Sequence, residues 1–200
     1  MARRQWMTPV SSAFDRRVAP GGALAEEAAR IALVCRAMAL RFADGGRLLV
    51  FGDGGGSADA QHVAVEFVHP VVVGKRALPA LSLSHDAAHL TAVAGSLGFE
   101  EVYAAQVRLL ATEKDIALGF SSGGRRAAVA RGLGAARERG LLTIALVGEA
   151  EGEGGGGPVA DHVLAARSGD PLVVREIHMT VYHLLWELVH VFLDQPEAAR

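Results

Sequence analysis

Two hundred residues, half of them hydrophobic, suffice to bury one substantial core, and residues 1–200 read as a single domain. A formal net charge of −2 with dispersed Lys and Arg excludes the basic patch that a nucleic-acid surface needs to neutralise phosphates. No run approaches the ~18 apolar residues of a membrane span, the N-terminal arginine pair lacks a following apolar segment, and Cys35 is the sole cysteine; a cytoplasmic protein with no membrane partner is expected.

Residues 1–21 are poorly placed by pattern; the stretch SSAFDRRVAP suggests a short helix broken at Pro20 and Gly21. From 22 to 43 apolar residues recur at helical spacing and stop at Asp44-Gly45-Gly46. An apolar strand at 48–52 runs into the turn GDGGGS (52–57) and a helix carrying Asp59, His62 and Glu66. A strand over 77–84 follows, then two helical segments separated by Gly95 and Gly98, and a strand at 115–120. The second glycine-rich turn, SSGGRR (121–126), opens another helix, which leads to a strand at 141–148. The acidic glycine tract 149–158 reads as a solvated loop without a site role, before a strand at 161–166 and a long helix from about Pro171 to Asp194. Short, fully apolar strands alternating with helices predict an α/β, three-layer αβα sandwich around a parallel sheet, with ligands at the carboxyl ends of the strands.

Both glycine turns fall at such strand ends. The first lacks the GxGxxG spacing and the Lys-Ser/Thr pair of a P-loop, which argues against a nucleotide cofactor. It is either a structural turn or a ligand cradle in which Gly54, Gly55 and Ser57 approach an anion at the helix N-terminus. His62 and Glu66, at i and i+4, share a helix face with Asp59, which suits a metal ligand or an acid/base pair. In the second turn, Ser121, Ser122, Gly124 and Arg125 offer hydroxyl, backbone and guanidinium donors suited to a phosphate, or else simple capping with exposed arginines. The C-terminal helix is apolar on several sides, so a polar group there needs a partner, and His183 is a site candidate or a satisfied core histidine.

Together, FGDGGGSADAQHVAVE, HLTAVAGSLGFEEVYAAQV, AARERGLLTIALVGEAEG and REIHMTVYHLLWEL resemble the SIS (sugar isomerase) domain family, most closely its phosphoheptose isomerases. EEVYAAQVRLLA is also similar to a branch that associates with the replication initiator. The resemblance implies an aldose–ketose isomerase acting on a small phosphorylated sugar such as sedoheptulose 7-phosphate. It further implies a homotetramer with sites between subunits, to which the N- and C-terminal helices contribute contacts. It assigns Glu66 and His183 as the acid/base pair and His62, Glu66 and His183 as ligands of a possible zinc ion, with Asp59 and Asp86 beside the substrate. Several matched positions differ: Gly56 replaces a serine, Arg125 and Arg126 replace an asparagine and a serine, and Arg175 replaces a glutamine that can ligate zinc. Leu172, Pro70 and Gly95-Ser96 also depart from the pattern, so a non-catalytic sugar-phosphate-binding sensor or scaffold is the alternative. If 171–194 is one helix, Arg175 and His183 lie ~12 Å apart along its axis, too far to meet one small centre from the same chain.

Overall fold

The computed structural model describes residues 2–122, 127–149 and 159–195, with side chains from residue 8 onward. Five strands, β1 (Leu48–Gly52), β2 (Ala80–Ser82), β3 (Ile116–Ser121), β4 (Leu142–Gly148) and β5 (His162–Ala166), pair throughout in parallel in the order β2-β1-β3-β4-β5. Their register sets Val50 beside Leu118 and Leu118 beside Ile144. All residues of β1, β3 and β4 are buried, as expected of strands covered on both faces.

Alternation along each strand divides the apolar side chains between two layers. Leu48, Val50, Ile116, Leu118, Phe120, Ile144 and Leu146 meet α2 (Ala28–Ala43), α3 (Gly55–Val68) and the C-terminal helix α7 (Pro171–Asp194). Leu49, Phe51, Ala117, Ala145 and Val147 meet α5 (Val102–Leu110) and α6 (Ala127–Glu138). The helix α4 (Ala87–Leu97) lies on this second face with no buried residue; Leu90, Val93 and Ala94 touch the core while Leu97 stays exposed. This is the expected three-layer sandwich, with its order reversing between β1 and β3, where a doubly wound sheet opens a crevice at the strand ends.

The helical boundaries differ from the sequence reading in two places. α1 (Ala2–Glu26) passes through Pro20 and Gly21, and the break falls at Glu27. Proline removes one N–H but fixes a φ compatible with helix, and this turn has tertiary support. Pro20 is buried, and the Arg17 guanidinium forks onto Glu176 of α7 through Nε (2.6 Å) and Nη2 (2.7 Å). Likewise α4 continues through Gly95 and ends at Gly98, whose φ of 97° is the left-handed conformation open to glycine. The strand expected over 77–84 shortens to Ala80–Ser82, an edge strand beginning after Pro79.

Two glycines of α6 give a paired test. A Cβ on Gly132 would stand 2.8 Å from Phe51 Cε2 and 3.0 Å from Tyr103 Cβ, whose rings are stacked, whereas one on Gly134 would meet nothing within 4 Å. Urea unfolding should therefore show Gly132→Ala destabilised by about 1–3 kcal/mol and Gly134→Ala stabilised by about 0.5–1 kcal/mol.

Candidate active site

The first glycine turn leaves β1 and becomes α3. Gly54 adopts φ 56° at the N-cap, and the opening turn is tight, with the Gly56 N–H on Asp53 O (3.0 Å) and the Ser57 N–H on Gly54 O (3.1 Å). Beneath it lies a buried support invisible to motif reasoning: Tyr103 donates its hydroxyl to Gly52 O at 2.6 Å, and Ser84 Oγ lies 3.3 Å from the same carbonyl. Burial, above all, pushes the Tyr103 pKa up to about 12, so it remains a neutral donor. The first two residues of the second turn are adjacent. A Cβ on Gly56 would lie 3.0 Å from Phe120 Cβ, and one on Gly148 would lie 3.8 Å from Ser122, so Ser121 and Ser122 leave β3 next to the first cradle. Gly124 and Arg125 lie outside the described residues.

α3 and α7 run side by side in the same direction and carry two polar clusters. At the start of the seam, Arg175 donates from Nε to Asp59 Oδ2 (3.1 Å) and from Nη2 to Oδ1 (2.8 Å), with Nη2 also 3.3 Å from Gly55 O. Asp59 is buried and Arg175 is half-exposed; the hydrogen bond to Asp59 is the main cause of the raised pKa of Arg175. Two helical turns on, Glu66 gives one carboxylate oxygen to each of two imidazoles. His62 Nε2 is 3.0 Å from Oε1, and His183 Nε2 is 3.4 Å from Oε2. The Glu66 side chain is 14% exposed and its two histidines 45% and 51%, so the carboxylate is sheltered while the rings face solvent.

Two further residues of α7 complete the second cluster and were not singled out by the sequence. Tyr182 places its hydroxyl 3.1 Å from His62 Nδ1, and Trp186 donates Nε1–H to the Glu66 carbonyl at 3.1 Å. A neutral His62 that donates Nε2–H to Glu66 has an unprotonated Nδ1, the acceptor that the Tyr182 O–H requires. Burial first, then the nearby Glu66 and Asp59 charges, keep the Tyr182 phenol pKa high. The only signals for these partners in sequence were the aromatic positions in α7; their pairing spans 120 residues.

Asp86 and His178 make local structural contacts. Asp86 is the N-cap of α4, its Oδ1 accepting the His89 N–H at 2.9 Å, and that bond is the main cause of its lowered pKa. His178 is structural: it is buried, donating from Nε2 to Val147 O at 3.0 Å, and desolvation lowers its pKa.

The zinc expectation is not met by this donor set. Glu66 stands between the two imidazoles, giving each a different oxygen, and the remaining family position is a guanidinium with no lone pair to give. Among the described residues no three His, Cys, Asp or Glu side chains gather so as to hold a metal ion.

A family model described as SIS domain matches residues 21–148. The phosphoheptose isomerase of Solidesulfovibrio magneticus is 40% identical over 158 residues, covering 79% of this chain and 76% of the relative. That of Geobacter sulfurreducens is 40% identical over 167 residues, covering 82% and 86%. Among solved structures, the phosphoheptose isomerase GmhA from Neisseria gonorrhoeae superposes with a TM-score of 0.81 at 26% identity, covering 92% of this chain and 99% of that one. A phosphoheptose isomerase from Francisella tularensis gives 0.83 at 27%, covering 92% and 97%.

His178 makes a pH prediction. Its folded pKa is depressed, so the unfolded chain binds a proton that the fold refuses, and stability is full above the unfolded value of about 6.5 and falls as pH drops below it. Urea midpoints measured between about pH 7.5 and 5 should decline more steeply for the parent chain than for His178→Gln.

Proposed function

Because the chain belongs to the SIS domain family, we propose that it interconverts the ketose sedoheptulose 7-phosphate and an aldose, a heptose 7-phosphate. Sugar-phosphate isomerisation is the activity of relatives that match most of this chain at about 40% identity. The single observation that carries the residue assignment is the sheltered Glu66 carboxylate held between two solvent-facing imidazoles.

Aldose–ketose isomerisation moves a proton between adjacent carbons and another between their oxygens. In this proposal the Glu66 carboxylate takes a proton from C1 of the ketose, leaving an enediolate across C1 and C2. His183 donates a proton to O2 and accepts the one on O1, and Glu66 returns its proton to C2, which yields the aldose. His62, oriented by Tyr182, steadies Glu66. The phosphate is assigned to the second turn, to Ser121 and Ser122 with Gly124 and Arg125 from outside the described residues, and the sugar to Gly54, Gly55 and Ser57 of the first, near the Arg175 charge. Asp59 holds Arg175, and Asp86 orders the neighbouring helix.

The proposal includes a homotetramer. The exposed apolar residues Val10, Phe14 and Val18 recur every fourth position along α1, the spacing of a helix face made for a partner, and α4 offers a second apolar surface. Arg175 and His183 engage different turns of α3, so both positions meet at one centre only if a second subunit contributes. No helix among the described residues is long and apolar enough to cross a membrane, and a cytoplasmic location is part of the same proposal.

Incubation with sedoheptulose 7-phosphate, followed by NMR, should show conversion to a heptose 7-phosphate. Glu66→Gln should lower turnover by about 10²–10⁴-fold while binding of the sugar phosphate, measured by calorimetry, persists. Binding without conversion by the parent chain would select the sensor reading, and unchanged turnover in Glu66→Gln would remove Glu66 as the base.

A further inference from the structure

We propose that this site works without a metal, its fixed positive charge being the Arg175 guanidinium. The inference rests on the isomerase reading above for the identity of the site, but its own grounds are geometric. A divalent ion in such a place does two things: it supplies positive charge, and it draws ligands from different helices to one point. Here both tasks are performed by side chains.

The charge is supplied by Arg175. Its guanidinium is held by both oxygens of buried Asp59 and by the Gly55 carbonyl, and it fills the space a side chain at residue 55 would need; a Cβ there would be 2.7 Å from Cζ and 2.8 Å from Nη1. Asp59 accepts through one edge of the fork, Nε and Nη2, which leaves the Nη1 amino group to face the glycine turn. A guanidinium so anchored carries its charge at all physiological pH and cannot dissociate.

The convergence is supplied by close polar contacts among side chains. Tyr182, His62, Glu66 and His183 form one continuous series, hydroxyl to Nδ1, Nε2 to Oε1, and Oε2 to Nε2. Glu66 occupies the space between the rings, and the residue that a second subunit would bring to this centre from the start of its α7 is a cation, which cannot ligate a metal. The expected consequence is a cluster with no useful zinc affinity, in which replacing Arg175 by a neutral oxygen donor, brought to the centre by a second subunit of the proposed tetramer, restores some.

The test uses the full chain and zinc alone. Metal content is measured by mass spectrometry after growth in zinc-supplemented medium, and zinc is titrated calorimetrically into the parent chain, Arg175→Gln, and the double variant Arg175→Gln/His62→Ala. The parent should carry substoichiometric zinc and show no saturable binding in the micromolar range. Arg175→Gln should bind at least about tenfold more tightly, and the double variant should lose that gain. Circular dichroism of each variant confirms folding; if Arg175→Gln does not fold, His62→Ala in the parent background decides. One zinc per parent chain, abolished by His62→Ala, would overturn the proposal, as would an Arg175→Gln chain that folds and binds no better than the parent. These readouts do not depend on turnover: a zinc-free chain inactive on every sugar phosphate would remove the isomerase assignment and leave the metal assignment standing.

Discussion

The site depends on one packing constraint, the seam along which α3 and α7 run in the same direction. Gly55, Asp59, His62 and Glu66 fall on one stripe of α3, and α7 answers that stripe in order with Arg175, Tyr182, His183 and Trp186. The order follows from helical geometry: seven residues on α3 and eight on α7 both advance about two turns. A shift of one residue in either helix would turn a carboxylate away from its partner by ~100°. Tyr182, Leu185 and Val189, all buried, fix the rotation of α7, and Asp170 fixes its start by accepting the Leu172 N–H at 3.0 Å.

The sheet explains why the seam opens where a ligand can reach it. β1 and β3 are neighbours at the point where the strand order reverses, and the first glycine turn and Ser121-Ser122 leave them at the same edge. The parallel arrangement forces every connection to cross back over a face, so the ends of the strands are the places where backbone donors collect without a covering layer. The hydrogen bonds of Tyr103 and Ser84 to Gly52 hold the start of the first turn in place.

The sandwich was legible in the sequence because fully buried parallel strands leave unbroken apolar runs, and LLVFG, IALGFS and LTIALVG are such runs. The long C-terminal helix was equally legible, bounded by Asp170 and Pro171 at its start. The face shared by Asp59, His62 and Glu66 could be read from periodicity alone, which is local. What joins that face to α7 could not. The Asp59–Arg175 pair spans 116 residues and the Tyr182–His62 bond 120, and nothing in spacing says which of several polar α7 residues will meet which carboxylate. His178 and His183 show the difficulty, since five positions apart on one helix they have opposite surroundings, one buried against Val147 and the other half-exposed at Glu66. Continuity of α1 through Pro20 was hidden for the same reason, because the support comes from Glu176 on a distant element.

The close approach of Arg175 to Gly55 has a consequence for how this sequence can change. While arginine occupies 175, its guanidinium fills the space beside residue 55, and a side chain entering there must shift the far end of that arginine. Shortening residue 175 would empty that space and leave a buried carboxylate without its counter-charge, a costly intermediate. The two positions are therefore coupled: substitutions at 55 and 175 should not contribute independently, and what the cradle tolerates is set by 55, 59 and 175 together.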